Sequence, residues 1–75
     1  MNKQRRKDIS KGYDLINEAI DIIQAALDEE QEAFDNLPEG IQCSERGEEM
    51  EENVSQLQEC VDNLEYARDN IEELI

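Results

Sequence analysis

The chain has 75 residues and a formal net charge of −14, from 21 acidic and 7 basic side chains, with no histidine. This length allows one domain with a small core, and small domains usually gain stability from disulfides, a metal or oligomerisation. Cys43 and Cys60 would lie about 25 Å apart along one helix, so they cannot pair within a chain. The common soft-metal sites need histidine or paired cysteines. We therefore expect no cofactor and predict oligomerisation.

The first half of the chain carries apolar residues at steps of three and four, which is a heptad pattern. This first line consists of Ile9, Tyr13, Ile16, Ile20, Ile23, Leu27, Phe34 and Leu37, interrupted by Glu30. A second line beside it consists of Gly12, Leu15, Ala19, Ile22, Ala26 and Ala33. Together they cover about 160° of a helical wheel. One partner helix cannot cover so wide a face.

A connection is predicted at residues 36 to 44, which include the single proline. Asn36, Pro38 and Glu39 resemble a capped single turn, which Gly40 is expected to break. Ser44 is expected to cap a second helix.

The second half repeats the heptad pattern, with one basic residue in the apolar line. Its members are Met50, Val54, Leu57, Val61, Leu64, Arg68, Ile71 and Ile75, flanked by Cys60, Ala67 and Leu74. Both halves are rich in helix formers and lack internal proline. The sequence therefore predicts an all-α single domain over residues 1–75, an antiparallel two-helix hairpin with long helices over about 5–35 and 45–74.

Charge is unevenly distributed along the chain. Residues 1–11 hold five basic side chains and one acidic one, a local +4, which leaves −18 for the remainder. The start of the first helix is basic and the end of the second is acidic, and each sign opposes the local helix dipole. The residues concerned are Lys3, Arg5, Arg6 and Lys7 at one end and Asp69, Glu72 and Glu73 at the other. In a hairpin we expect these ends to lie side by side and neutralise each other.

The loop end of the predicted hairpin is acidic, and only Arg46 balances it locally. The acidic residues are Asp28, Glu29, Glu30, Glu32, Asp35, Glu45, Glu48, Glu49, Glu51 and Glu52. We expect something basic to dock there, whether another protein, metal ions or the basic segment of a second copy.

Glu30 and Arg68 would lie over 20 Å apart, by helical rise, within one hairpin. Antiparallel packing of two hairpins brings Glu30 of one level with Arg68 of the other, and each basic N-terminus to the other's acidic loop end. We therefore predict a homodimer, a four-helix bundle of coiled-coil type. The alternative is that both side chains extend to water from the edge of the apolar face. The predicted dimer interface consists of Ile9, Tyr13, Ile16, Ala19, Ile20, Ile23, Ala26, Leu27, Glu30, Phe34, Leu57, Val61, Leu64, Arg68 and Ile71.

No catalytic or metal site is predicted. The EEMEE cluster at residues 48–52 could supply oxygen ligands, but it lacks the alternating loop ligands of an EF-hand, and a solvated helix face explains it better. Acid–base chemistry by paired carboxylates needs a desolvated pocket, which a two-helix hairpin does not offer. Cys43 has six nearby glutamates and no adjacent base, whereas Cys60 is expected to pack. We expect a protein that is not an enzyme.

The predicted partner-binding set consists of Glu45, Glu48, Glu49, Glu51, Glu52 and Tyr66. Tyrosine is often a binding anchor, although an isolated exposed tyrosine usually has no role. Carboxylates along a rigid rod resemble a phosphate backbone, so the rod could occupy a basic groove that normally holds nucleic acid; the plainer alternative is that they confer solubility. Direct nucleic-acid binding is not expected, because the −18 of the remaining chain repels phosphate.

No apolar run approaches the roughly 18 residues of a membrane span, and the N-terminus lacks a secretory signal. Together with free thiols, this predicts a cytoplasmic protein that does not bind membranes.

The elbow also carries a resemblance. The string Phe34, Asp35, Asn36, Leu37, Pro38, Glu39, then Gln42, Ser44, Glu45, Arg46, Gly47, Glu48 and Met50 resembles the elbow of a group of short acidic helical-hairpin proteins of bacteria and their phages or mobile elements, mostly uncharacterised. The NKQRRK opening and the acidic second helix are similar too. The resemblance implies a small accessory protein and brings no catalytic residues. We expect it to bind a basic surface of a host nucleic-acid-handling or defence protein and inhibit it; the alternative is a structural or scaffolding homo-oligomer.

Overall fold

A computed structural model describes all residues, 1–75, and contains helices but no strands. The helices are α1 (Lys3–Asp35), α2 (Glu39–Gln42) and α3 (Glu45–Glu72). Helices α1 and α3 pack together along their lengths, in a rod of 58 × 14 × 13 Å. The predicted helical hairpin is confirmed, and the long helices lie close to the predicted bounds.

The core of the hairpin is thin and consists of residues from the two heptad lines. Ile20 and Leu27 of α1 and Val61 of α3 are buried. Around them pack the partly buried Ile16, Ile23, Val54, Leu57 and Leu64. Val61 is the most deeply buried side chain, at 1% exposure, because it points from α3 into the apolar line of α1. Tyr13 and Phe34 lie on the same line of α1 but are only partly buried.

The register of the hairpin, which the core packing holds, is shown by a hydrogen bond in which Asn53 Nδ2 donates to Glu30 Oε2 at 2.9 Å. Ile75 lies 22 residues after Asn53, and Asp8 lies 22 residues before Glu30, so these two are level along the rod. The start of α1, residues 3–7, therefore extends past the end of α3.

This register corrects one expectation about charge. The basic start of α1 was expected to neutralise the acidic end of α3, but the structure contains a single ion pair, between Arg68 and Asp69 within α3. Because α1 projects past α3, its basic residues lie beyond the acidic end. They are Lys3, Arg5, Arg6 and Lys7.

The connection differs from the predicted turn. Asn36 caps the end of α1 by donating its backbone N–H to the carbonyl oxygen of Glu32, and Pro38 is the N-cap of the short helix α2. Gly40 lies inside α2 and does not break it, since glycine can adopt helical angles at a modest entropic cost. Gln42 Nε2 donates to the carbonyl oxygen of Phe34 at 3.1 Å, which satisfies one of the free carbonyls at the end of α1.

Helix α2 packs directly on the first turn of α3. A Cβ added to Gly47 would lie 2.5 Å from the backbone carbon of Gln42 and 2.7 Å from its Cα, so only glycine fits there. Ser44 caps α3, as predicted, and its side chain accepts the N–H of Gly47 at 3.5 Å. The elbow is thus an ordered connection in which α2 joins the end of α1 to the start of α3.

Candidate interaction surfaces

The first candidate surface is acidic and lies on the outer side of α3. Four exposed glutamates at helical spacing line a shallow depression of about 260 Å³. We call this set the acidic face; it consists of Glu45, Glu48, Glu49 and Glu52. None of their carboxylates forms an ion pair, within 4.0 Å, with a basic side chain. The predicted Glu51 does not line the depression, because it points to a different side of the helix.

The position of the acidic face follows from the helix itself. Glu45 and Glu48 occupy the first turn of α3, where the helix dipole favours negative charge. The remaining two glutamates extend the same side by one further turn. A basic group approaching this side would meet several carboxylates at once, none of them in an ion pair within the chain.

Tyr66 is 73% exposed, so its predicted outward position is confirmed. It lies 18 residues after Glu48, which is five full turns and about 27 Å along α3. Tyr66 therefore faces the same side as the acidic face, but within one chain it is too distant to share a compact contact with it.

The second candidate surface is apolar and lies on one flank of the hairpin. Leu15 and Ile22 of α1 are 56% and 63% exposed, and Leu74 near the end of the chain is 50% exposed. Helix α3 leaves these side chains uncovered, as the width of the apolar pattern predicted.

Residues of both helices contribute to this flank. A groove of about 360 Å³ is lined by Ala26, Glu30, Asn53, Gln56 and Leu57, so the Ala26 side of α1 and the Gln56 side of α3 face the same direction. Positions seven residues apart share a helix face. The apolar flank therefore consists of Gly12, Leu15, Ala19, Ile22, Ala26 and Ala33 of α1 and Cys60 and Ala67 of α3, with Leu74 just past the end of α3. Glu49 lies seven residues before Gln56, so this member of the acidic face borders the same flank.

The opposite flank is polar. Its side chains form hydrogen bonds between residues four positions apart in the same helix, which satisfy them locally. These bonds are Gln24 to Asp28 at 3.0 Å, Gln31 to Asp35 at 2.9 Å and Gln58 to Asp62 at 3.0 Å. The hairpin is thus two-sided, and only one flank is suited to burial against another apolar surface.

The residues predicted for a dimer interface fall into two groups in the structure, some buried within the chain and some exposed. Ile20, Leu27 and Val61 are buried inside the single chain. Ala26 lies at the edge of the groove and is exposed. The intrachain core therefore uses much of the predicted set, including the partly buried Ile16, Ile23, Leu57 and Leu64. Only Ala19 and Ala26 of that set lie on the apolar flank, whose exposed Leu15 and Ile22 were not in it.

The two polar residues of the heptad lines lie far apart in one chain, as expected. Glu30 accepts a hydrogen bond from Asn53, whereas Arg68 lies 15 residues beyond Asn53 along α3 and bonds Asp69 Oδ1 at 3.2 Å. The hydrogen bond that Arg68 Nε donates to the Asp69 carboxylate holds the pKa of the guanidinium above its ordinary value. Both intrachain contacts are exposed, so they can be exchanged for others at small cost.

Sequence reasoning missed the corner made by Gln42 and Gly47 and the groove residues Asn53 and Gln56. A glycine in the first turn of an otherwise glycine-poor helix was the available signal for the corner. For the groove, the signal was the seven-residue spacing between Asn53 and Cys60.

Two further features bear on ligands. No three acidic or cysteine side chains are grouped so that they could hold a metal ion. None of the helices has both the length and the hydropathy that crossing a membrane would require. Comparison of the chain with protein-family models, curated proteins and solved structures finds no match.

Proposed function

We propose that this protein is a cytoplasmic, non-enzymatic interaction module that forms an antiparallel homodimer and binds a basic surface of another protein. The observation that supports it most is the acidic face, four adjacent carboxylates that form no ion pair within the chain. The exposed Leu15 and Ile22 support the dimer.

Charge supports a basic protein as the partner. Residues 28–52 hold eleven acidic side chains and one basic one. Such a concentration of one sign attracts an oppositely charged surface and raises the rate of association, while it repels nucleic acid. A groove that normally holds a phosphate backbone offers the required arginines and lysines. If this protein occupied the groove, it would exclude nucleic acid and so inhibit the partner protein. The resemblance to phage and mobile-element proteins agrees with a host nucleic-acid-handling or defence protein as the target.

The experiment compares two variants with the same net charge. One replaces all four residues of the acidic face by glutamine. The control neutralises four exposed acidic residues of α1 by the matching amides. These control residues are Asp8, Asp14, Glu18 and Asp21, all outside the acidic stretch at residues 28–52.

Binding of an oligoarginine peptide is measured by titration, followed by affinity capture from host lysate. At about 0.5 kcal/mol per exposed ion pair, loss of the four pairs of the acidic face weakens binding by about 2 kcal/mol, or about 30-fold. The control variant should bind as the wild type does. Equal losses in both variants would show that net charge alone attracts the peptide, and would reject the acidic face as the site.

A structural or scaffolding homo-oligomer is the second candidate function, and the uncovered Leu15 and Ile22 favour it. Ionic strength separates the two. A complex held by the acidic face should weaken steeply between about 0.05 and 0.5 M salt, because screening shortens the range of the attraction. A homo-oligomer held by the apolar flank should persist or tighten, since salt screens the repulsion between its acidic copies.

A further inference from the structure

The side of the rod that carries the apolar flank is free of charge over its middle. On α1, the residues of this side from Gly12 to Ala26 are apolar or small. On α3, uncharged residues occupy the flank positions that follow one another at steps of three and four, namely Asn53, Gln56, Cys60, Asn63, Ala67 and Asn70. Amides can be buried if they find hydrogen-bond partners, without the much larger cost of burying a charge.

The opposite flank is acidic. Aspartates recur there on α1 at seven-residue steps, at positions 14, 21, 28 and 35. Two of them accept hydrogen bonds from glutamines of their own helix, Asp28 from Gln24 and Asp35 from Gln31. Packing a second copy on this flank would bury carboxylates of like charge. A second copy is therefore expected only on the apolar flank.

Two ionisable residues near the ends of this side have a charge opposite to that of their surroundings. Asp8 is the single acidic residue among the first eleven, and Arg46 is the single basic residue of the acidic loop end. Asp8 lies seven residues before Leu15 and Arg46 seven before Asn53, so both face the same side as the apolar flank. Neither forms an ion pair within the chain. They lie about 43 Å apart along the rod, so they cannot meet within one hairpin.

An antiparallel second copy removes this separation. By the register of the hairpin, Arg46 is level with residue 37 of its own chain. A two-fold axis midway between residues 8 and 37 passes between Ile22 and Ile23, and it brings Asp8 of each copy level with Arg46 of the other. A parallel copy would keep the two residues at opposite ends and would place two acidic loop ends together. Charge complementarity therefore selects the antiparallel direction.

A row of small residues on α1 has its centre at the same point. The row occurs at seven-residue steps and consists of Gly12, Ala19, Ala26 and Ala33. Antiparallel packing about this axis sets each small residue of one copy opposite a small residue of the other, for example Ala19 opposite Ala26. Two helices that meet through glycine and alanine can approach closely, at the short end of the usual 8 to 10 Å or so between axes.

The other charged residues near the flank are compatible with this axis. It brings Glu30 of one copy level with Arg68 of the other, so the two polar residues of the heptad lines can meet. Glu29 and Glu49 border the flank towards its loop end, and Glu49 comes level with the end of α3 of the second copy. Their long side chains can extend into water from the edge of the interface.

We propose that two copies pack through the apolar flank, antiparallel about an axis between Ile22 and Ile23, with Asp8 of each copy paired to Arg46 of the other. This inference rests on the homodimer proposed above and names its interface and register. One side of the rod measures 58 × 14 Å, or roughly 800 Å², about what one partner contributes to a stable interface of standard size.

The first test compares two neighbouring residues of α1. Ala26→Glu adds a carboxylate to the apolar flank, and Ala25→Glu adds the same charge between Asp21 and Asp28 on the opposite flank. Both alanines are exposed, and glutamate is a good helix former, so both variants should keep their helices in circular dichroism. In sedimentation equilibrium, Ala26→Glu should raise the dissociation constant of the dimer at least about tenfold, and Ala25→Glu less than about threefold.

Gln56→Glu and Gln58→Glu repeat this comparison on α3, where Gln56 lines the groove and Gln58 lies on the opposite flank. Gln56→Glu should weaken the dimer more than Gln58→Glu does. Equal effects within both pairs would overturn the apolar flank as the interface, even if the wild type sediments as a dimer.

The second test exchanges the charges of the proposed pair. Asp8→Arg should weaken the dimer at least about fivefold, although it reduces the net negative charge that drives two copies apart. Asp14→Arg makes the same change of charge on the opposite flank, and this control should dimerise as tightly as the wild type or more tightly. Arg46→Asp should also weaken the dimer, and the chain with both Asp8→Arg and Arg46→Asp should return to within about twofold of the wild type.

The outcomes separate the inference from the proposed function. No recovery in the exchanged chain, or an Asp8→Arg dimer as tight as that of Asp14→Arg, would overturn the register and leave the homodimer intact. A wild type that sediments as a monomer up to millimolar concentration would overturn the homodimer itself. Binding of the oligoarginine peptide to the acidic face is measured separately and does not depend on either result.

Discussion

Gly47→Ala should destabilise the hairpin, although the change adds a good helix former to a helix. The new Cβ would meet the backbone of Gln42, at 2.5 Å from its carbonyl carbon. Backbone atoms cannot turn aside as a flexible side chain can, so α2 must move away from α3. That movement also pulls Gln42 from the carbonyl of Phe34 at the end of α1.

The size of the effect follows from these two losses. Overpacking typically costs about 1 to 3 kcal/mol, and a lost hydrogen bond about 1 kcal/mol. The gain in helix propensity offsets up to about 1 kcal/mol. We therefore expect a net loss of about 2 kcal/mol. For a domain of this size it lowers the Tm by about 8 to 16 °C. Thermal unfolding followed by circular dichroism, at one fixed protein concentration, measures it.

Gly40→Ala is the matched control. Gly40 also lies in a helix near the elbow, but an added Cβ there meets nothing within 4 Å. Its Tm should stay constant or rise, since alanine is favoured over glycine by about 0.5 to 1 kcal/mol in a helix. If Gly47→Ala melted at or above the temperature of Gly40→Ala, α2 would not be packed on α3 as described.

Three further predictions concern the core, the heptad charges and the elbow. Ile20→Asp should abolish the helical signal in circular dichroism, because a charge buried in the core costs more than the roughly 3 to 5 kcal/mol of stability available to a domain of this size. Ile22→Asp changes an exposed residue, so this variant should keep its helices and sediment as a monomer. Glu30→Lys should weaken the dimer in sedimentation, and Arg68→Glu in the same chain should partly restore it; no recovery would reject pairing between copies. Gln42→Ala should cost about 1 kcal/mol and speed amide exchange at the end of α1.

The hairpin was predictable because its apolar spacing and its lack of internal proline both indicate helix over long stretches. The register was predictable only approximately. Folding about residue 40 or 41 placed Glu30 near residue 51, and the structure places it beside Asn53. The difference arises from α2, which lengthens the connection, and a single turn of helix carries too few residues for periodicity to reveal it.

The charged ends show where reasoning from the sequence failed. Opposite charges at neighbouring helix ends suggested neutralisation within the chain, because the predicted bounds place the start of the first helix level with the end of the second. The structure shows α1 projecting past α3, a difference of a few residues that decides which charges can meet. The lengths of the two helices and the geometry of the connection determine how far α1 projects. Both depend on contacts between residues far apart in the sequence. The shared side of Glu45, Glu48, Glu49 and Glu52 was predictable from helical periodicity, and the same periodicity excludes Glu51, which the prediction had included.

Ionic strength should affect the two proposed surfaces in opposite directions. The dimer brings two chains of net charge −14 together, so added salt should strengthen it by screening their repulsion. The acidic face binds by attraction, so the same salt should weaken its hold on a basic partner. At low protein concentration, sedimentation should therefore show more dimer as salt rises, while titration shows weaker binding of the peptide. At high protein concentration the dimer is already formed, so added salt should change only the binding of the peptide, which should decline steadily.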